Sequence, residues 1–334
     1  MTTTLGAKQS YAGVPTLELV NERIHLTIAP GVGGRVISLV DRATGREWLV
    51  QGDVPPSSRD WALPGAIFGP SEAAGWDECL PTVAAVVDPL GDGRSPLRDH
   101  GDVWGRPTAA QSGPDSIIVA LDGVTWPYRF TRNLHLEQDT VVVRYTLTNS
   151  GPRALPFLWS MHALFDLEAG CSISVDGIHE VRLMYAAGMD LGPVGAMVGW
   201  PRARQGDGSE FDLAAVPGEE ARTAVKLQAA LPSTVVASGI GRTSIETPDG
   251  SSLTITWDPS VAKAAAMWLD HGGWPADAGR RQVSIGPTTS PHDDLASASA
   301  AGQALMVESG SPRSWEVRMA LRPATTMREP AAGS

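Results

Sequence analysis

The sequence predicts an all-β protein built as a large antiparallel sandwich. Short runs that alternate apolar and polar residues, rich in β-branched side chains, recur along the 334-residue chain. Clusters of Gly, Pro, Asn and Asp separate these runs and have the composition of turns between antiparallel strands. Long helical patterns do not alternate with the strand patterns, which argues against a parallel α/β sheet. We therefore expect packed antiparallel sheets and few helices.

Seven segments show the strand pattern, in chain order at residues 17–28, 35–40, 116–121, 140–147, 172–175, 252–257 and 314–321. The turn clusters lie at residues 30–34, 41–45, 148–152 and 248–250. Short helices are predicted near residues 219–230 and 293–304. The sequence shows no repeat of fixed period, so a propeller is not expected. No change in composition marks a linker between domains. The sequence thus predicts a single domain over residues 1–334, with a core at about residues 14–324.

The composition excludes several classes of partner. The formal charge of −11 arises from 37 acidic and 26 basic residues, and no run of Lys or Arg is present, so nucleic acid is not an expected partner. No apolar stretch reaches the roughly 18 to 20 residues that span a bilayer, and the N-terminus lacks a signal-peptide pattern. The two cysteines, Cys79 and Cys171, are too few for a disulfide scaffold or a structural zinc site. We expect a cytoplasmic protein.

In the segment GWDECLPT, residues 75–82, two adjacent carboxylates lie between apolar residues. Asp77 and Glu78 follow Trp76, and proline closes the segment. One interpretation is a solvated turn, because Asp and Glu are mostly exposed. The other is the polar floor of a pocket, with Trp76 as a wall on which a ligand could lie.

Three histidines stand in surroundings that suggest a site. His100 lies beside Gly101, which permits close approach of a ligand, and acids on both sides, including Asp102, could hold a ring nitrogen. His162 lies in the apolar segment 158–166 and needs a partner, either in the core or in a site. His271 follows a strand-like run and precedes two glycines, between two tryptophans.

Nucleotide cofactors are not expected. The chain has no nucleophile elbow, phosphate-binding loop or zinc-protease motif. The glycines at residues 31–34 precede a strand-like run and not a helix, so they lack the context of a dinucleotide-binding turn. We predict no cofactor.

Several segments together resemble the aldose 1-epimerase (galactose mutarotase-like) superfamily. They are PGVGGRVISL at 30–39 with DRATGRE at 41–47, GWDECLPT at 75–82, DHGDVW at 99–104, WSMH at 159–162, GPTTS at 286–290 and the final strand-like stretch 309–321. No single segment is diagnostic, and their order and spacing support the resemblance. It implies a β-supersandwich whose curved sheet holds a monosaccharide in an open cleft.

The resemblance also implies catalytic roles. In such proteins one histidine holds the sugar, a second donates a proton to the ring oxygen, and a late glutamate takes the proton of the anomeric hydroxyl. His100 falls at the first position and His162 at the second. The glutamate is expected directly before Pro287, where this chain has Gly286. Because glycine offers no proton acceptor, we predict that Asp77 or Glu78 replaces the base, without a preference between them.

Six further residues are predicted to bind the sugar, namely Arg35, Trp76, Asp102, Trp104, Trp268 and His271. The tryptophans could stack on a sugar ring or simply pack in the core. Arg35 would face the cleft only if the pleat of its strand sends it there.

The sequence is compatible with three functions. The first is an enzyme that interconverts the anomers of an aldose. The second is a sugar-binding protein that kept the cleft and lost the chemistry, as the glycine at 286 suggests. The third is a different sugar reaction, with a metal held by His100, Asp102 and His162, although we predict no metal because the spacing of these residues has no specificity. The expected partner in each case is a small-molecule sugar.

Overall fold

The computed structural model describes residues 4–5, 10–11, 14–52, 68–69, 73–87, 96–275 and 281–324. Strands make up 51% of the described residues and helices 5%, which confirms the predicted all-β class. The strands, numbered in chain order, are β1 Thr4–Leu5, β2 Ser10–Tyr11, β3 Val14–Pro15, β4 Leu17–Val20, β5 Ile24–Ala29, β6 Arg35–Asp41, β7 Arg46–Glu47, β8 Trp76–Cys79, β9 Ala109–Ser112, β10 Ser116–Asp122, β11 Tyr128–Glu137, β12 Thr140–Asn149, β13 Leu155–Phe157, β14 Ser160–Phe165, β15 Ser172–Val175, β16 Glu180–Ala187, β17 Met197–Gly199, β18 Arg202–Arg204, β19 Glu210–Asp212, β20 Thr223–Ala230, β21 Gly241–Glu246, β22 Ser252–Trp257, β23 Ala264–His271, β24 Arg281–Thr288, β25 Leu305–Val307 and β26 Arg313–Arg322. The helices are α1 Ser233–Ser238, α2 Leu295–Ala300 and a 3-10 turn at Pro30–Val32.

Two large antiparallel sheets form the sandwich. The first has twelve strands in the order β1-β4-β5-β6-β8-β14-β24-β23-β20-β16-β17, with β7 paired to β6. The second has eight strands in the order β15-β21-β22-β26-β12-β11-β10-β9. The strands β8, β14, β24, β23 and β20 lie together near the middle of the first sheet, so segments far apart in sequence become neighbours there.

The main core lies between the two sheets. On β14, Met161 and Phe165 enter this core together with side chains of the second sheet such as Val143 of β12. The alternation of a strand sends Leu164 to the opposite face, where it joins a smaller apolar cluster with Phe68. The outer face of the first sheet therefore has packing of its own, and the candidate site lies there.

All seven predicted strand segments contain strands of the structure. The helix predicted near 293–304 corresponds to α2, whose N-cap Asp294 accepts a hydrogen bond from the Ser297 N–H. The helix predicted near 219–230 is wrong, because residues 223–230 form β20. That strand pairs with β16 and β23, and buries Leu227 while Lys226 points to the other face, so sheet pairing on both sides decides the conformation.

No helix among the described residues has the length and apolar character needed to cross a membrane.

Candidate functional site

A cavity of about 330 Å³ opens on the outer face of the first sheet, over β14, β24, β23 and β20. Its polar lining is His100, Ser160, His162, Lys226, Gln228, Gln282, Ser284 and Asp293, and its aromatic lining is Phe68, Tyr185, Trp268 and Trp274. A concave, mostly apolar surface with a few convergent polar groups is typical of a small-molecule site. We call this cavity the cleft.

The loop that contains His100 is fixed against the end of β8. The N–H of His100 donates to the carbonyl of Val83 at 2.5 Å, and the N–H of Asp102 donates to the carbonyl of Leu80 at 2.6 Å. His100 has a φ of 56°, in the left-handed region that non-glycine residues rarely adopt. Such a conformation persists only where the surroundings hold it, and it often marks a functional site.

The ring of His100 is oriented from two sides. It stacks on Phe68 with a centroid distance of 4.1 Å, and its Nδ1 lies 3.0 Å from Oδ1 of Asp99. Burial would raise the pKa of Asp99, but the contacts with His100 and with the Phe68 N–H lower it below its usual value, so this carboxylate is ionised at neutral pH. Because Nδ1 is buried against the Asp99 carboxylate, we expect Nε2 to be the nitrogen of His100 that meets a ligand.

His162 lies on β14 and contacts His100 across the cleft. The two ring centroids are 5.0 Å apart, with the rings near perpendicular. Nδ1 of His162 is buried and has no hydrogen-bond partner in the protein. Burial, followed by the positive charges of His100, Lys226 and Arg35, lowers the pKa of His162 well below 6.5. The ring is therefore neutral at pH 7 and has one nitrogen ready to accept a proton.

A carboxylate of the cleft comes from Asp293, for which the sequence predicts only the start of a short helix. Its Oδ2 lies 2.9 Å from Nζ of Lys226, and its Oδ1 accepts a hydrogen bond from Gln228 at 2.8 Å. Its main-chain carbonyl accepts from the N–H groups of Val83 and Ala84. The loop after β24 thus places Asp293 over β20, a contact that no local pattern in the sequence reveals.

The expectation that Glu78 faces the cleft is corrected by the structure. Glu78 is fully buried, and the pleat of β8 sends its carboxylate into the core between the sheets. There it accepts hydrogen bonds from Trp76, Trp159 and Tyr145 at 2.8–3.0 Å and pairs with Arg132 at 3.1 Å. Burial raises the pKa of Glu78 to about 7, although Arg132 and the three donors lower it.

Asp77 points to the opposite face of β8 and lies directly across from His162 in the sheet. Its carboxylate makes two contacts with Arg35, at 2.6 Å and 3.1 Å, and both side chains are buried. Neither residue belongs to the lining of the cleft. Asp77 therefore neighbours the site as half of a buried ion pair, and its oxygens are already engaged.

Of the residues predicted to bind a sugar, Trp268 lines the cleft. It packs edge to face with Trp274 at 5.7 Å and lies 5.8 Å from the ring of Tyr185. These three rings form an aromatic side of the cleft that could cover the apolar face of a sugar.

Four other predicted binders lie outside the lining, namely Trp76, Asp102, Trp104 and His271. The carboxylate of Asp102 accepts from the Tyr128 hydroxyl at 2.9 Å, so it is used inside the protein. Trp104 is fully buried, with Arg98 over its ring and its indole N–H donating to the Asp99 carbonyl. His271, next to Asp270 at the end of β23, is 3% exposed. Each of these side chains packs in or under the sheet, which argues against the binding roles expected from the sequence.

Gly286 lies on β24 opposite Ala266, and Ala266 lines the cleft. The atoms nearest to a Cβ atom at Gly286 would be those of the Met161 side chain, at 3.5 Å, which is an ordinary van der Waals distance. Steric crowding therefore does not require a glycine here. The strand position at which the resemblance implies a glutamate as the base has no acceptor. The polar side chains that β24 itself contributes to the cleft are Gln282 and Ser284, and neither is ionised.

No protein-family model matches the sequence, and no curated protein matches it. Solved structures do match. A galactose mutarotase-like protein from Clostridium acetobutylicum has a TM-score of 0.66 at 13% identity, over 96% of this chain and 99% of that one. A galactose mutarotase-like protein from Lactobacillus casei ATCC 334 has a TM-score of 0.63 at 16% identity, over 92% of this chain and 100% of that one. A galactose mutarotase related enzyme from Lactobacillus acidophilus has a TM-score of 0.63 at 13% identity, over 94% of this chain and 100% of that one.

The similarity extends over nearly the whole length of each protein. Because the sequence identities are only 13–16%, it is evidence for the fold and not for the function. It agrees with the sequence segments that suggested the superfamily and with the two large antiparallel sheets. The chain has the galactose mutarotase-like fold.

Proposed function

We propose that the chain binds a monosaccharide in the cleft and interconverts its anomers by acid–base opening of the sugar ring. The observation that supports this most is the pair of imidazoles in one cavity, 5.0 Å apart and in different environments. Ring opening needs one group that takes a proton and one that gives a proton, and two such imidazoles can divide these tasks. The names of the similar structures support a sugar as the ligand.

The environments assign the two tasks. His162 is neutral and has an unpartnered Nδ1, so it accepts the proton of the anomeric hydroxyl. His100, held at Nδ1 by Asp99, donates a proton from Nε2 to the ring oxygen. The bond between the anomeric carbon and the ring oxygen breaks as the carbonyl forms. Rotation of the open aldehyde and the reverse transfers give the other anomer.

This assignment exchanges the two roles that the family resemblance implies for the histidines. The reason is physical, because a ring whose pKa lies well below 6.5 is neutral at pH 7. It can then accept a proton, but it does not carry the second proton that a general acid would donate. The exchange of roles also explains how the chain could work without a glutamate at position 286. His162 then acts as the base, and neither Asp77 nor Glu78 is needed in that role.

The remaining polar groups suit sugar hydroxyls. Lys226 and Gln228 offer donors and Asp293 offers acceptors at one end of the cleft. Trp268, the cross-strand partner of Lys226, adds a flat apolar surface beside these groups. Polar groups next to aromatic rings match the two kinds of surface that a pyranose has.

Polarimetry tests the proposal directly. Freshly dissolved α-anomers of several aldoses are followed with the purified protein, with His162→Ala and with His135→Ala as a control. His135 lies on β11 in the second sheet and pairs with Glu137, away from the cleft. Acceleration that His162→Ala abolishes and His135→Ala retains would support the proposal.

A sugar-binding protein without catalysis is the second candidate, and two observations favour it. The strand position of the expected acid is a glycine, and the carboxylate of Asp293 is neutralised by Lys226. Calorimetry with the same aldoses separates the two candidates. Binding without acceleration would favour this second function, and a lack of both would contradict any role for the cleft in sugar chemistry.

A further inference from the structure

Cys79, His100 and His162 bring three metal-ligand atoms together beside the cleft. One ligand atom from each residue lies within 4.8 Å of the other two. The residues come from the end of β8, the loop that follows it and β14, so the fold assembles them from separate segments. One thiol and two imidazoles are a donor set that favours zinc and related ions over magnesium or calcium.

The distances suit a site that closes on an ion. In a tetrahedral zinc site, a bond of about 2.3 Å to sulfur and of about 2.0 to 2.1 Å to nitrogen separates the ligand atoms by about 3.4 to 3.6 Å. The three atoms here lie within 4.8 Å of one another, so they would need to approach by at most about 1.4 Å, which rotations of the side chains can supply.

The surroundings of the three residues match those of metal ligands. A histidine that binds a metal usually donates its other ring nitrogen to a carboxylate, and Asp99 lies 3.0 Å from Nδ1 of His100. Asp99 is itself fixed by the N–H of Phe68, at 3.1 Å. Nδ1 of His162 is buried without a partner, and Cys79 is a free thiol that is 1% exposed.

We propose that Cys79, His100 and His162 bind one zinc-class divalent ion, with a fourth coordination position open to the cleft. The Cys79 thiol loses its proton to solvent as the bond between sulfur and metal forms. This site differs from the set of His100, Asp102 and His162 considered from the sequence, because Asp102 is held by Tyr128 and the third ligand is Cys79. It goes beyond the proposed function, and an ion held there would occupy both imidazoles and stop anomer interconversion.

Cobalt(II) is the probe, because a thiolate ligand gives it an absorption band from charge transfer between sulfur and metal. The full chain is freed of metal with a chelator and titrated with cobalt chloride. We expect one equivalent per chain, the charge-transfer band, and loss of this band when zinc chloride is added. Absence of the band in the unaltered protein would contradict the proposal.

The two cysteines provide a matched pair of variants. Cys79→Ala is expected to lose the band and to weaken cobalt binding by at least about tenfold, whereas Cys171→Ala keeps both, since Cys171 is a buried core residue. Asp99→Asn is expected to weaken binding by about 10- to 100-fold and to keep the band, as loss of an outer partner does. A band unchanged in Cys79→Ala would overturn the assignment. These spectra need no sugar, so they remain informative if the protein has no mutarotase activity.

Discussion

The two faces of the first sheet bury polar groups in two different ways. On the core face, both oxygens of the Glu78 carboxylate accept hydrogen bonds, and Arg132 balances the charge. On the cleft side, His162 of β14 is partly exposed and lines the cavity, and its Nδ1 is buried without a partner. A buried polar group whose partners all come from the protein stabilises the fold, whereas one without a partner beside a cavity leaves room for a ligand. For these two residues, the hydrogen bonds that the protein supplies indicate a structural role for Glu78 and a role in the cleft for His162.

The largest expected effect concerns His162 on the cleft side. If it is the general base, His162→Ala should slow anomer interconversion by about 10²- to 10⁴-fold, the usual contribution of one positioned acid or base. The free energy of unfolding should change by less than about 1 kcal/mol, because the variant removes a buried nitrogen that has no partner. Polarimetry and urea unfolding of the same preparation measure both quantities. A strong loss of stability would show that His162 is structural, as Glu78 is.

Glu78→Ala should show the reverse pattern. The variant leaves the guanidinium of Arg132 buried without its partner, which costs about 3 to 5 kcal/mol of unfolding free energy. Sugar affinity should persist in the fraction that remains folded, because Glu78 does not line the cleft. Urea unfolding at pH 7.5 measures the loss, and Glu78→Gln, which keeps one acceptor oxygen, should lose less. If Glu78→Ala lowers the free energy of unfolding by less than about 1 kcal/mol, Glu78 is not the structural group that distinguishes the core face from the cleft side.

The sequence predicted much of the fold, because alternation and turn composition are local. The strands β15 and β22 have the predicted bounds. The helix predicted near residues 219–230 failed, because an alanine-rich segment such as β20 takes its conformation from the strands on both sides of it. Pairing in the middle of a sheet is a tertiary effect that local propensity does not contain.

The sequence predicted less of the site. His100, His162 and Trp268 do reach the cleft, and the first two stood out because a polar ring in glycine-rich or apolar surroundings needs an explanation. Asp77 and Glu78 are adjacent, so a strand must send them to opposite faces, but the pattern did not show which face was the core. The contact between Asp293 and β20 depends on sheet order, which the sequence does not show.

His271 tests whether a buried histidine outside the cleft behaves as a structural group. Burial, with the charge of Arg281, lowers the pKa of His271 from 6.5 to about 4. As the pH falls from 6.5 towards 4, the unfolded chain takes up a proton that the folded chain does not, so the free energy of unfolding decreases. The loss between about pH 7.5 and pH 5 should be about 2 kcal/mol. Urea unfolding at several pH values measures the effect in the unaltered protein and in His271→Gln. The free energy of unfolding of His271→Gln should decrease less as the pH falls, and an equal pH dependence of the two proteins would contradict the prediction.

Trp268 should matter for ligand affinity more than for stability. It is partly exposed on the cleft, unlike the fully buried Trp159 of the Glu78 cluster. We expect Trp268→Ala to weaken sugar binding by about tenfold, which corresponds to roughly 1.4 kcal/mol, near the upper range for one aromatic contact. Trp268→Phe keeps a flat ring and should lose less. Calorimetric titration with the sugar that binds measures both, and equal losses would indicate that the ring does not stack on the ligand.

The smallest expected effect is at Gly286, where the family resemblance implies an acid. The glycine has an ordinary backbone conformation, and an added Cβ would lie 3.5 Å from Met161. Gly286→Ala should therefore stabilise the protein by about 0.4 to 1 kcal/mol, because alanine restricts the unfolded chain. Gly75→Ala, before β8, is the matched control and should destabilise it, since Gly75 has a φ of 69° and its Cβ would lie 2.6 Å from the Val36 carbonyl. If Gly286→Ala is also destabilising, the glycine is required by packing. If it is tolerated and activity persists, position 286 is open to side chains and the base lies elsewhere in the cleft, as proposed for His162.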